Sequence, residues 1–97
     1  MDGATVEIDL TDELRNPWGI LHGGVVASLV DAAAAHAAGG TTTDVVLHFL
    51  APNRTGPVRA HARVAGERSD GHVVRVEIRD EGAGRVTAVA VATVTPG

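Results

Sequence analysis

The segment from Gly23 to Ala38 constrains the fold more than any other stretch of this chain. Val25, Val26, Leu29, Val30 and a run of alanines continue without a proline until Gly39-Gly40 stops them. The pattern predicts one helix of about four turns, apolar on most sides, which other elements must wrap to keep it from water. The wrapping material is strand. Ala4 to Leu10 alternates Val6, Ile8 and Leu10 with Glu7 and Asp9. Residues 11–21, with Pro17 and Gly19, read as a loop. Thr41 to Leu50 is β-branched and apolar. Val58, Ala60, Ala62 and Val64 alternate with Arg59, His61 and Arg63, and Val74, Val76 and Ile78 with Arg75, Glu77 and Arg79. Arg85 to Thr95 is apolar in both registers, as in a strand covered on both faces. Short Gly-containing links at 66–71 and 80–84 suit hairpins. The expected architecture is α+β, in one domain over residues 1–97: a strand, a helix buried on nearly all sides, then four strands in hairpin succession curled around it.

A chain of 97 residues with 2% aromatics builds its core from Val, Ala and Leu, so the core is thin. A second copy would supply the missing burial, and a homo-oligomer is expected. The net charge is −4 and the basic residues, all Arg, are scattered singly, which argues against nucleic acid as a partner. There is no Cys, which removes disulfides and thiolate chemistry. His22, His36, His48, His61 and His72 lack the spacing of metal ligands, so no metal or other cofactor is expected. No apolar run of about 18 residues and no signal-peptide layout is present, which favours a cytoplasmic protein with no membrane partner. Asn53-Arg54-Thr55 matches a glycosylation pattern that means nothing without secretion.

Three features can carry chemistry. His22-Gly23-Gly24 stands at the start of the helix, where a glycine pair costs less than the roughly 1 kcal/mol each would cost in the interior. Free N–H groups there can approach a ligand closely, aided by the helix dipole, and could stabilise an oxyanion. A tight turn would also explain the pair. Asp31 is the second: Ala27, Ser28, Ala34 and Ala35 surround it at helical spacing, and none can pair its charge. An Asp on an exposed stripe, or one bonded to Ser28, is the plain alternative; a buried one would be a candidate base or nucleophile. Gly23 and Asp31 are eight residues apart, about 12 Å along a helix, so one carbonyl cannot touch both in one copy. If both act on one group, the site must combine two copies. The third feature is Asn16, seven residues before Gly23, whose amide could bond a substrate, hold a water, fix His22 or merely start a turn.

The run Asn16-Pro17-Trp18-Gly19-Ile20-Leu21-His22-Gly23-Gly24-Val25-Val26-Ala27-Ser28-Leu29-Val30-Asp31 strongly resembles the signature of hotdog-fold thioesterases of the 4-hydroxybenzoyl-CoA and phenylacetic-acid-pathway type. His48-Phe49-Leu50-Ala51-Pro52, with Gly56, is similar to their strand and turn after the helix. The likeness runs from about Val6 to Val94. It implies a five-stranded antiparallel sheet wrapped around the helix, subunits paired edge to edge as dimers or dimers of dimers, and active sites shared across the dimer interface. It implies that the Gly23 N–H polarises the thioester carbonyl of an acyl-CoA, with Gly24 beside the substrate and Asn16 and His22 organising that side. Asp31 of the facing subunit would be nucleophile or general base, and Thr42, with Thr41 or Thr43 as alternatives, would assist. Trp18 could line the acyl pocket or plug the core, and Phe49 would help shape the pocket. With no lysine in the chain, Arg54 or Arg59 would meet the CoA phosphates. Set against that pattern, the chain is expected to lack the N-terminal helical segment that often precedes the first strand in such proteins and helps close the acyl pocket.

The leading expectation is therefore hydrolysis of an acyl-CoA to free acid and CoA. A non-catalytic acyl-CoA-binding module, a thioesterase acting on a carrier-protein thioester, and a dehydratase or hydratase of acyl thioesters are the alternatives. Fold alone does not choose among them.

Overall fold

The computed structural model describes residues 3–96. Its elements are β1 (Gly3–Ile8), a short 3-10 turn (Asp12–Leu14), α1 (Gly23–Ala38), β2 (Gly40–Phe49), β3 (Val58–Arg68), β4 (Gly71–Asp80) and β5 (Arg85–Pro96). The strands form one sheet in the order β1-β3-β4-β5-β2, every neighbouring pair antiparallel. The expected five-stranded sheet packed on one helix is what the chain forms.

The strand order corrects one expectation. The last four strands are not in hairpin succession: β3, β4 and β5 are, but β2 pairs with β5 and is a sheet edge. The link 50–57 explains the difference, because it crosses the ends of β5 and β4 and is tied to each. Leu50 and Ala51 donate their N–H groups to the Thr87 carbonyl at 2.8 and 3.1 Å. Arg54 and Thr55 donate to Asp80 Oδ2, and Gly56 to Asp80 Oδ1. Gly56 has φ 73°, and a Cβ there would come within 2.6 Å of Leu10, so the next-to-last residue of this crossing must be glycine.

The core lies between α1 and the inner face of the sheet. Val26, Leu29, Val30, Ala33, Ala34 and Ala37 of the helix are buried against Val58, Ala60, Ala62, Val74, Val76, Ile78, Ala88, Ala90, Ala92 and Val94. Alternation in β3 and β4 sends their arginines outward, as the period of two requires. The helix ends at Gly39, a left-handed cap whose N–H bonds the Ala35 carbonyl.

Two further expectations fail within a single copy. The helix is not buried on nearly all sides: Gly24, Ala27, Ser28, Asp31, Ala32 and His36 are exposed. Nor is β5 covered on both faces, since Val91 on its outer side is 47% exposed. Apolar residues also crowd the free edge: Val45, Val46, Phe49 and Leu50 are exposed along or just after β2. An apolar edge strand of this length pairs readily with another chain.

Candidate active site

Gly23 is the first helical residue, after His22 with φ −58° and ψ 136°. The first N–H groups of any helix lack partners inside it. Among the described residues, no acceptor within the chain takes the N–H of Gly23 or of Gly24. Gly23 also sits against an aromatic ring: a Cβ there would lie 3.6 Å from Phe49 Cζ. Ile20, Leu21, Gly23, Val26, Phe49, Ala51, Pro52 and Asn53 together line an open cleft of about 250 Å³. A free N–H at the wall of an apolar cleft can hold a carbonyl oxygen whose charge is growing.

The loop before Gly23 is built around Asn16. Its Oδ1 accepts the N–H groups of Trp18 (3.0 Å) and Ile20 (3.1 Å), while its own N–H reaches the Ile20 carbonyl at 2.7 Å. The acceptor end of Asn16 is thus committed to the turn, and only its Nδ2 donor is left for a ligand. His22 is exposed, makes no side-chain cap bond, and donates its N–H to the Leu14 carbonyl. Trp18 is 75% exposed, so it does not plug the core.

Asp31 is exposed, on the same helix and two turns further on, so its own copy keeps it about 12 Å from Gly23. It is not bonded to Ser28, whose hydroxyl donates to the Gly24 carbonyl instead. Thr42 is beside it, with Oγ1 3.4 Å from the Asp31 carbonyl oxygen. Thr43 turns away to the Thr93 carbonyl at a bulge between Thr42 and Asp44. The structure therefore sets Gly23 against Phe49 at one end of the helix, with Asn16 bonded into the loop before it through Trp18 and Ile20, and Asp31 with Thr42 further along the helix. It does not bring the two groups together in one copy.

Of the two arginines expected near CoA phosphates, Arg59 is on the outer sheet face, bonded to Glu7 at 2.6 Å. That removes it from the cleft. Arg54 follows Asn53 at the cleft edge, and its carbonyl accepts Arg15 Nη1 at 2.6 Å.

Residues to which the sequence assigns no part in the site hold it in place. Asn53 is 3% exposed; its Oδ1 accepts the Thr87 hydroxyl at 2.6 Å, and its carbonyl accepts the Leu21 N–H at 3.0 Å. Arg15 bonds the carbonyls of Leu10, Gly19 and Arg54, fastening three loop segments together. Asp80 is fully buried and accepts N–H groups from Arg54, Thr55, Gly56 and Ala83. Burial alone would raise its pKa; the bonds from Thr55, Arg54, Gly56 and Ala83 outweigh that, and the net shift is downward. A polar residue ending a strand before the Gly-rich Glu81–Gly84 was the available signal for Asp80. Among the described residues, no group of three His, Asp or Glu side chains could hold a metal ion, and no helix is long and apolar enough to cross a membrane.

The fold, a five-stranded antiparallel sheet on one helix, is that of a hotdog domain, and comparison with known proteins identifies its family. Residues 12–95 match the acyl-CoA thioesterase N-terminal domain family, and the chain belongs to that family. Over 84 residues it is 31% identical to a Saccharolobus solfataricus protein provisionally named an esterase, covering 79% of this chain and 60% of that one. The chain thus spans about three fifths of that relative's length. Among solved structures, a Haemophilus influenzae thioesterase superposes with a TM-score of 0.84 at 25% identity, over 97% of this chain and 71% of that one. The PaaI protein of the E. coli phenylacetic acid degradation operon gives 0.85 at 23%, over 97% and 76%. Zebrafish thioesterase superfamily member 2 gives 0.86 at 22%, over 99% and 75%.

Proposed function

We propose that two copies of this chain form shared sites that hydrolyse an acyl-CoA thioester to free acid and CoA. The observation that carries the reading is the Gly23 N–H, without an acceptor among the described residues, set against Phe49 in an apolar cleft. The thioester carbonyl oxygen sits against that N–H, with Gly24 adjacent and Asn16 Nδ2 and His22 on the same side. Asp31 of the partner subunit attacks the carbonyl carbon or takes a proton from the attacking water, and Thr42 beside it steadies the nucleophile. In either route a C–O bond forms as the C–S bond breaks, and one water is consumed: its oxygen enters the acid, directly or by hydrolysis of the acyl–Asp31 anhydride, and one of its protons leaves with CoA as the thiol. Phe49 and Trp18 line the acyl side, and Arg54 faces the CoA phosphates.

The free β2 edge supports the pairing. Thr42, Val45, Leu47 and Phe49 share the inner side of β2, opposite Val94, Ala92, Ala90 and Ala88 of β5. An antiparallel β2 pair with its two-fold axis at Val46 keeps inner residues facing inner residues. Because the bulge adds one residue after Thr42, that register would set Thr42 opposite Phe49 of the partner subunit. Asp31 would then approach the Gly23 cleft of the other copy. The cleft of one copy, about 250 Å³, is also below the roughly 300–1,000 Å³ of ordinary ligand sites, so a partner wall is needed.

The test is free-thiol release from a panel of aromatic, short and long acyl-CoAs, with Asp31→Ala alongside. Turnover of at least one thioester and its loss in a folded, oligomeric Asp31→Ala protein are expected. Near-normal hydrolysis by that variant would overturn the role of Asp31. Tight acyl-CoA binding without thiol release would favour a binding module.

A further inference from the structure

The sheet face away from the helix holds a feature that thioester hydrolysis does not use. Cα partners across β3 and β4 put Arg63 opposite Arg75 and Arg59 opposite Arg79, with His61 opposite Glu77 between them. Directly opposed residues on one face hold their Cβ atoms roughly 4.5–5.5 Å apart, and like charges there repel. The outer pair relieves this: Arg59 bonds Glu7 and Arg79 is 3.4 Å from Glu81. Arg63 and Arg75 have no ion pair or hydrogen bond among the described residues.

These two arginines line a concavity of about 540 Å³, more than twice the cleft at Gly23. His61, Val64, Ala65 and Glu77 complete it. Its shape has a local cause. The residue opposite Arg63 in β1 is Gly3, which leaves the β1 end of that row without a side chain, and a bulge between Val64 and Gly66 bends β3 beside it. His61 is held from the β1 side by Thr5, whose Oγ1 is 2.9 Å from His61 Nδ1. Two opposed guanidiniums over a hollow, in a chain of net charge −4, concentrate positive charge against the overall balance.

We propose that Arg63 and Arg75 form a binding site for a phosphate dianion on the outer face of the sheet. Planar guanidiniums match phosphate oxygens bidentately, and a dianion between them turns a repulsive pair into an attractive one. Glu77 limits the affinity from within the site. The phosphate could come free from solution or belong to the nucleotide end of CoA. The site does not depend on the thioesterase reading, because its test reads binding alone.

The experiment is calorimetric titration of the full chain with inorganic phosphate, CoA and dephospho-CoA, with thermal melts in parallel. Phosphate should bind and raise the melting temperature. The Arg63→Gln/Arg75→Gln double variant should weaken it by at least about tenfold, since charge-assisted bonds are lost. Glu77→Gln should tighten it. Without phosphate the double variant should melt no lower than the parent, as both side chains are exposed and repel each other. If CoA loses affinity in step with phosphate while dephospho-CoA does not, the nucleotide 3′-phosphate is the source. If only inorganic phosphate is affected, the ligand is a free anion. Absence of phosphate binding at millimolar concentration, or equal binding by the folded double variant, overturns the proposal.

Discussion

Gly23→Pro separates the donor role of Gly23 from its role in the fold. Proline removes one group, the N–H, and the first helical position is where a helix tolerates that loss. The preceding residue must be extended, and His22 already is, at φ −58° and ψ 136°. A Cβ at position 23 would rest 3.6 Å from Phe49 Cζ, an ordinary contact. Stability should therefore change by no more than about 1 kcal/mol, a melting shift of about 4–8 °C or less for a domain of this size. Losing one oxyanion donor typically costs about 2.7–4 kcal/mol of transition-state stabilisation, a fall in kcat of about 10²–10³-fold. Gly23→Ala is the control: it adds the same Cβ, keeps the N–H, and should lose less than about tenfold. Thiol-release kinetics, with circular-dichroism melts of each variant, provide both readouts. A folded Gly23→Pro protein hydrolysing within tenfold of the parent would refute the donor role.

Asp80→Asn should destabilise the fold by about 2–4 kcal/mol in denaturant melts, because one amide oxygen cannot serve donors that now meet both carboxylate oxygens. Since folding lowers the Asp80 pKa, its contribution is complete above the ordinary carboxylate value and fades as pH falls through the lowered one. The gap between parent and Asp80→Asn should begin to narrow near about pH 4 and go on narrowing as pH falls toward the lowered value; a constant gap down to pH 2 would contradict this. Val46→Asp would set two carboxylates together at the β2 two-fold, and sedimentation should show monomers without turnover. An active, dimeric Val46→Asp protein would exclude that register.

The helix was legible because its apolar run continues without proline from Gly23 to the Gly39-Gly40 stop, and β3 and β4 because burial on one face imposes a period of two. Strand order was not, because alternation says which face a residue takes and nothing about which strand lies beside it. The placement of β2 depends on the 50–57 link, which is held by Thr87 and Asp80, residues distant in sequence. The separation of Gly23 from Asp31 could be read because the rise of a helix is fixed. The Asn53, Thr87 and Asp80 supports could not: short polar residues near turns look alike until burial shows which of them accept bonds. The exposed side of α1 is not legible for a related reason. Alanine suits a buried helix face and an open one equally, so its composition did not reveal that Ala27 and Ala32 face outward.

The division of the site between two copies is tested most directly by joining two inactive chains. Gly23→Pro and Asp31→Asn, carried on differently tagged chains and purified as the mixed dimer, leave one site with both native residues and one with neither. Each homodimer should be nearly inactive, and the mixed dimer should recover about half the thiol-release rate of the parent, one working site of two. A mixed dimer of confirmed composition that stays as inactive as its parents would show that Gly23 and Asp31 do not act across the interface.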